Sequence, residues 1–430
     1  MLNRAIAPPI TNAVDFDFNL KPYDLHTLDN GVQVLAVDGG AEDVVLVEWV
    51  FEAGNSWEKK SMVAGATNHL LKNGTATKTA FDINEQFEFF GAFLNRGAYN
   101  ETSNITLHAL SKHLPALLPM VAELITDAVF PQQELDIFKQ NSKQRLSVNL
   151  RKCDFVAHQQ IDALLYGSEH PYGKYSKMEH LDDLLQADLT AFYTQHYTQG
   201  SCIIFIAGKL PTNAVALLNQ SFGQLPLTPL VVVPTAPKLG LQTAPNNRQV
   251  RITNDANGVQ GAIRMARNFP NRHHPDFLKV QVLNTLFGGF FGSRLMSNIR
   301  EDKGYTYGIH SYLQNHVEQS AWMISTEAGR EVCEATIGEV YAEMERLRQT
   351  PIPQSELDLV RNYMLGSLLG DLDGPFQIMA RWKNYVLHGI NTEAFFHHAV
   401  GIIKTVSAEE LQQLAQQYLQ PEAFYELVVV

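Results

Sequence analysis

Apolar residues recur along this chain at two periods, and the alternation between the two periods occurs twice. In HLPALLPMVAELITDAVF, residues 113–130, Leu114, Leu117, Leu118, Val121 and Leu124 fall at spacings of three and four, which predicts a helix with one apolar face. VQVLAVDG, VVLVEWVFEAG, RQVRITN and GAIRMARNF instead read as strands. In each half strands come first, then helices, then more strands and helices. This order predicts an α+β fold with mostly antiparallel sheets flanked by helices.

The two halves also share words. FPQQELDIFKQN at 130–141 recurs as IPQSELDLVRN at 352–362, placing Glu134 and Glu356 222 positions apart (356 − 134). LQADLTAFYTQHYTQGSCIIFIAG pairs with TVSAEELQQLAQQYLQPEAFYELVVV and aligns Tyr197 with Tyr418, 221 apart (418 − 197). Two matches at nearly one offset indicate a duplication. The proline-bearing stretch LPLTPLVVVPTAPKLGLQTAPNN suits neither a helix nor a central strand. The expected organisation is therefore domain 1–215, linker 216–245 and domain 246–430.

Composition narrows the function. The net charge of −12 comes from dispersed acidic residues, with no basic tract to line up on phosphates, so nucleic acid is not an expected partner. The longest apolar runs, IIFIAG and LVVV, are far below the roughly 20 residues of a membrane span. Residues 1–20 lack an apolar signal core. Cys153, Cys202 and Cys333 are odd in number and widely spaced, which fits core thiols in a reducing compartment. The expected location is the cytoplasm, or the periplasm if a signal peptide has been removed.

The chemistry turns on SMVAGATNHLLKNGT, residues 61–75. Zinc hydrolysis on a helix needs two histidines four residues apart and a carboxylate to take a proton from the bound water, a requirement that HxxEH meets. Here the five positions are Gly65, Ala66, Thr67, Asn68 and His69. One histidine remains, and an amide such as Asn68 cannot act as a base near neutral pH. From the residues alone, His69 reads as a helix histidine bonded to backbone. The pairs at 273–274 and 397–398 lack i,i+4 partners and read as surface histidines.

GATNHLLKNGT, GAFLNRGAYNETS and LSKHLPALLPMVAELITDAVFPQQELD resemble peptidase family M16 (insulinase, pitrilysin, mitochondrial processing peptidase), and the resemblance runs over nearly the whole chain. It implies two homologous domains forming half a clamshell. It places the family's first histidine at Gly65, its catalytic glutamate at Asn68, its second histidine at His69 and its third ligand, a glutamate, at Arg145. It also implies an edge strand at FLNRGAY that takes up extended peptide, although the family's NAxT is not present there. The expected chain is a degenerate one that holds no metal itself.

LFGGFFGSRLMSNIREDKGYTYGIHSYL, residues 286–313, is not a phosphate loop, because GGFFGSR lacks the GxxxxGK[ST] spacing. Gly288, Gly289 and Gly292 suit a sharp turn between two helices. The M16 resemblance assigns Arg300 and Tyr307 to the family's arginine and tyrosine, which reach peptide held at the partner domain's zinc. Both side chains can donate to a carbonyl or to the oxyanion formed from it. Without the resemblance, an arginine paired with Glu301 or Asp302 and a tyrosine packed in a strand would explain them. The expected function is that of a noncatalytic subunit paired, as a heterodimer or heterotetramer, with an HxxEH-bearing subunit that supplies the zinc and hydrolyses peptide. The alternatives are a structural subunit like the core proteins of respiratory complexes, and an enzyme with another metal set built from His69 with His158 or His170.

Overall fold

The computed structural model describes residues 12–231, 248–390 and 392–430. The amino half contributes strands β1 (Asp24–Thr27), β2 (Gln33–Asp38), β3 (Val44–Phe51), β4 (Phe93–Ala98), β5 (Ser103–Leu110), β6 (Ser201–Gly208) and β7 (Thr228–Pro229). Its helices are α1 (Val63–Leu70), α2 (Ala80–Phe89), α3 (Leu114–Thr126), α4 (Gln132–Asn149), α5 (Cys153–Tyr166), α6 (Met178–Asp182), α7 (Gln186–Tyr193) and α8 (Ala214–Phe222). The carboxy half contributes β8 (Gln249–Ile252), β9 (Gln260–Phe269), β10 (Thr306–Asn315), β11 (Ser320–Gly329) and β12 (Tyr425–Val429). Its helices are α9 (Phe277–Asn284), α10 (Cys333–Gln349), α11 (Gln354–Gly370), α12 (Pro375–Val386), α13 (Glu393–Thr405) and α14 (Ala408–Tyr418).

Two sheets result. The first runs β1-β2-β6-β3-β5-β4, with β7 beside β6, and the second runs β10-β11-β9-β12-β8. In both, a parallel pair (β2 with β6, β8 with β12) is followed by three antiparallel neighbours. Substituting β8 for β2, β9 for β3, β10 for β4, β11 for β5 and β12 for β6 converts one order into the other. The repeat extends to side chains: Phe51, ending β3, meets the ring of Tyr197 at 4.9 Å, and Phe269, ending β9, meets that of Tyr418 at 5.0 Å.

Strand alternation assigns each sheet two cores. Cys202, Ile204 and Ile206 of β6 pack with α1, α3 and α8, whereas Ile203, Phe205 and Ala207 face Ile378, Met379 and Trp382 of α12, a helix of the other half. The converse holds across the chain, because Ala262 and Ala266 of β9 and Leu427 of β12 pack on Val156, Ala157 and Ile161 of α5. Each half thus covers the outer face of the other's sheet. Lys383 of α12 reaches the buried Glu48 of β3 at 2.8 Å, and the Trp382 indole donates to the carbonyl of Lys21 at 2.8 Å.

The segment expected as linker opens on structure. Residues 216–222 complete α8, whose Leu218 and Phe222 are buried in the amino core, and Thr228–Pro229 pairs with β6. The prolines at 234 and 237, in the middle of the expected linker, lie outside the described residues. Among the described residues no helix is long and apolar enough to cross a membrane.

Candidate functional site

Helix α1 starts where Glu58 turns its buried carboxylate onto the backbone N–H groups of Met62 and Ala64, at 3.1 and 3.0 Å, and onto Lys174 at 2.7 Å. A carboxylate here satisfies first-turn donors and complements the helix dipole. Val63, Ala64, Ala66, Thr67, Asn68 and Leu70 are buried, which leaves Gly65 and His69 facing α4. Between them lies a cavity of about 490 Å³ lined by Gly65, His69, Phe138, Arg145, His158 and Lys174, among others.

Three of the four family positions, Gly65, His69 and Arg145, therefore line one cavity, and Asn68 does not. Its amide donates to the carbonyl of Asn104 and to the hydroxyl of Tyr197, both at 3.1 Å, inside the core. A β-carbon at Gly65 would meet nothing within 4 Å, so the space for a side chain there is open. His69 stacks against Phe138 with ring centroids 5.0 Å apart. Partial burial, and then Arg96, Arg145 and Lys72, hold its pKa below the usual histidine value. One imidazole beside three cations does not fit a zinc site, which takes at least three protein donors from His, Cys, Asp or Glu. Among the described residues no three His, Cys, Asp or Glu side chains are grouped to hold a metal. Of the two alternative partners for His69, His158 lines the same cavity and contacts Asp162 at 3.9 Å, whereas His170 is buried elsewhere, between Tyr166 and Tyr172.

Arg300 sits in a π-helical segment, Met296–Asp302, where the predicted second helix follows the glycines. Its guanidinium lies 4.6 Å from the ring centroid of the exposed Phe291, and its Nε is 3.5 Å from Glu301, so the expected acidic contact exists but is loose. Tyr307 lies at the start of β10, an edge strand, beside an irregularity in the pairing between Thr306 and Ile309. It is 96% exposed. That exposure rules out a tyrosine packed in a strand, and among the described residues its hydroxyl has no partner.

The family model described as "Peptidase M16 inactive domain" matches residues 184–364. The chain is 22% identical over 397 residues to the uncharacterized zinc protease YmxG of Bacillus subtilis, covering 91% of this chain and 94% of that one. It is 23% identical over 372 residues to an uncharacterized zinc protease of Mycobacterium tuberculosis, covering 85% and 83%. Residues 184–364 are thus similar to a domain of peptidase family M16. The chain's fold is shared with an M16 inactive domain from Pseudomonas fluorescens (TM-score 0.84, 23% identity, 95% and 98% covered) and a protease from Helicobacter pylori (0.82, 17%, 95% and 99%). A chain of complex III2 from Candida albicans also shares it (0.73, 14%, 94% and 95%).

FLNRGAY spans β4, the free edge of the first sheet, and the residue after it, with Phe93 and Tyr99 exposed. One contributor in that stretch carried no chemical signal in the sequence. Arg96 donates to the backbone carbonyl of His69, and burial holds its pKa down to about 10. It ties β4 to α1. A lone basic residue on a strand gives no hint of this, since its acceptor is a backbone atom 27 residues away.

Proposed function

We propose that this chain is the noncatalytic partner of an HxxEH-bearing M16 subunit and that it lends Arg300 and Tyr307 to a peptide held at the partner's zinc. The observation that carries this reading is Tyr307, a phenol fully presented to solvent at the head of an edge strand, where a core role is absent and a donor role is open. The zinc corner of this chain supports the same division of labour, because Gly65 and Arg145 supply no metal donors. Domains 1–215 and 246–430, joined through 216–245, would together form one half of the enclosing chamber.

The test is reconstitution. The chain is co-expressed with an M16 subunit bearing HxxEH, and peptide cleavage is compared for each subunit alone and for the pair. Activity confined to the pair supports the reading. Full activity of the HxxEH subunit alone, unchanged on adding this chain, would refute it. A structural role without proteolysis is the second reading, supported by the fold shared with a chain of complex III2; complex formation with no gain in cleavage would favour it.

A further inference from the structure

A second cavity, of about 570 Å³, lies in the carboxy half between α9, α11, α12 and α13. That volume is in the range of ligand sites, roughly 300–1,000 Å³. Neither Arg300 nor Tyr307 lines it. Its walls include Leu278, Leu368, Phe396 and Val400, and its charged groups are Arg272, Arg381 and Asp371.

The charges do not balance. Arg381 donates to Asp371 at 2.6 Å and to the hydroxyl of Tyr385 at 3.3 Å. Among the described residues Arg272 has no carboxylate partner; its Nη1 donates to the side-chain oxygen of Asn384, and its Nε is buried without an acceptor. Burial, with Arg381 nearby adding repulsion, brings the Arg272 pKa down to about 10. Taking a guanidinium out of water without a counter-charge is costly, and a second guanidinium beside it raises the cost. The bonds that the two side chains make leave Nε of Arg272 and Nε of Arg381 buried without an acceptor, and an anion placed between the two would supply one. Two arginines and one aspartate leave one net positive charge, which matches a singly charged head group. Planar guanidinium suits planar carboxylate, and the apolar walls suit a hydrocarbon.

We propose that this cavity binds a small amphipathic carboxylate, a medium-chain acyl acid whose head group bridges Arg272 and Arg381 and whose chain lies along Leu278, Leu368, Phe396 and Val400. The test titrates octanoate into the full chain by calorimetry. Saturable binding at one site is expected, with 1-octanol and inorganic phosphate failing to compete. Arg272→Gln should weaken octanoate about tenfold or more, the scale of a charge-assisted hydrogen bond, without lowering the melting temperature of the unliganded protein. Ser367→Trp, at an exposed position of the lining, keeps both arginines, fills the space and should abolish binding. If Arg272→Gln does not fold, arginine's role is structural and the proposal fails. Absent or non-saturable binding, equal binding of 1-octanol, or indifference to Ser367→Trp would each overturn it, and tighter binding of an apolar tetrapeptide through its free carboxylate would overturn the acyl assignment.

Discussion

Lys383 and Glu48 are joined at 2.8 Å across the two halves of the chain, the carboxylate on the α12-facing side of β3 and the ammonium on α12 itself. Glu48 is 5% exposed and also accepts from Asn104 of its own half, so its counter-charge is the one that Lys383 brings from the other half. Removing one member of such a pair leaves the other buried and uncompensated. Lys383→Met should destabilise the full chain by about 3 kcal/mol, and Glu48→Gln with Lys383→Met together should cost less than Lys383→Met alone. Urea unfolding of the three variants measures this; a double variant less stable than the lysine variant would contradict it.

The exchange of α5 and α12 makes the halves mutually dependent. Trp382 is fully buried in the core that covers the first sheet, although it belongs to the second half. Trp382→Ala should cost roughly 3–5 kcal/mol and should lower the unfolding of both halves in one transition. Hydrogen exchange of β6 and β12 peptides checks it, with the expectation that both lose protection together.

This exchange also marks where the sequence stops being legible. The apolar run of β6 reads as a strand, and Tyr197 and Tyr418 read as equivalents, because period and offset are local properties of the chain. That α12 covers β6 is not local: a helix face shows that it is buried, but not against which sheet. The π-helical segments Thr194–Thr198, Thr285–Gly289 and Met296–Asp302 were equally hidden, since each of their hydrogen bonds spans only one residue more than in an α-helix. At the candidate site the sequence shows that Gly65, Asn68 and Arg145 offer neither imidazole nor carboxylate. It does not show the inward turn of Asn68 toward Tyr197, because nothing in an asparagine specifies its acceptor.

A metal site at His69 needs several groups replaced. The native chain should hold no stoichiometric zinc at His69. Gly65→His with Arg145→Glu, which adds an imidazole and exchanges a cation for a carboxylate in the same cavity, should bind zinc that a chelator removes. Elemental analysis after dialysis reads the outcome, and zinc retained equally by the native chain would defeat the expectation.

Where the halves meet, the pH response follows from His316. Its ring stacks on Tyr172 at 4.0 Å, and burial, followed by His170, pushes its pKa down to about 4. The unfolded chain therefore takes up a proton at this histidine below about pH 6.5 that the folded chain refuses until about pH 4, so its contribution to stability is present at neutral pH and falls through that window. Burial raises the pKa of Asp162, to about 6, and that of Glu101, and each acts with the opposite sign. The net slope is thus partly cancelled, and the informative quantity is a difference. His316→Gln should lose less stability than the native chain between pH 6.5 and 4, as judged by urea midpoints; parallel curves would exclude the histidine.

Arg300 and Tyr307 should act on substrate and not on the fold. Tyr307 is 96% exposed, so Tyr307→Phe removes only a hydroxyl already in water and should leave stability unchanged. Arg300→Ala loses a contact with Phe291 and a loose one with Glu301, worth at most about 1 kcal/mol for exposed pairs. If both side chains donate to the oxyanion forming at the partner's zinc, each substitution in the reconstituted pair should lower kcat by roughly 10²–10³. KM should move little, because the oxyanion exists only beyond the ground state. Subunit association is measured separately, since a weakened complex would imitate lost catalysis. A raised KM with unchanged kcat would make the two residues binders of the ground-state peptide, and unchanged values of both constants would leave the scaffold reading in front.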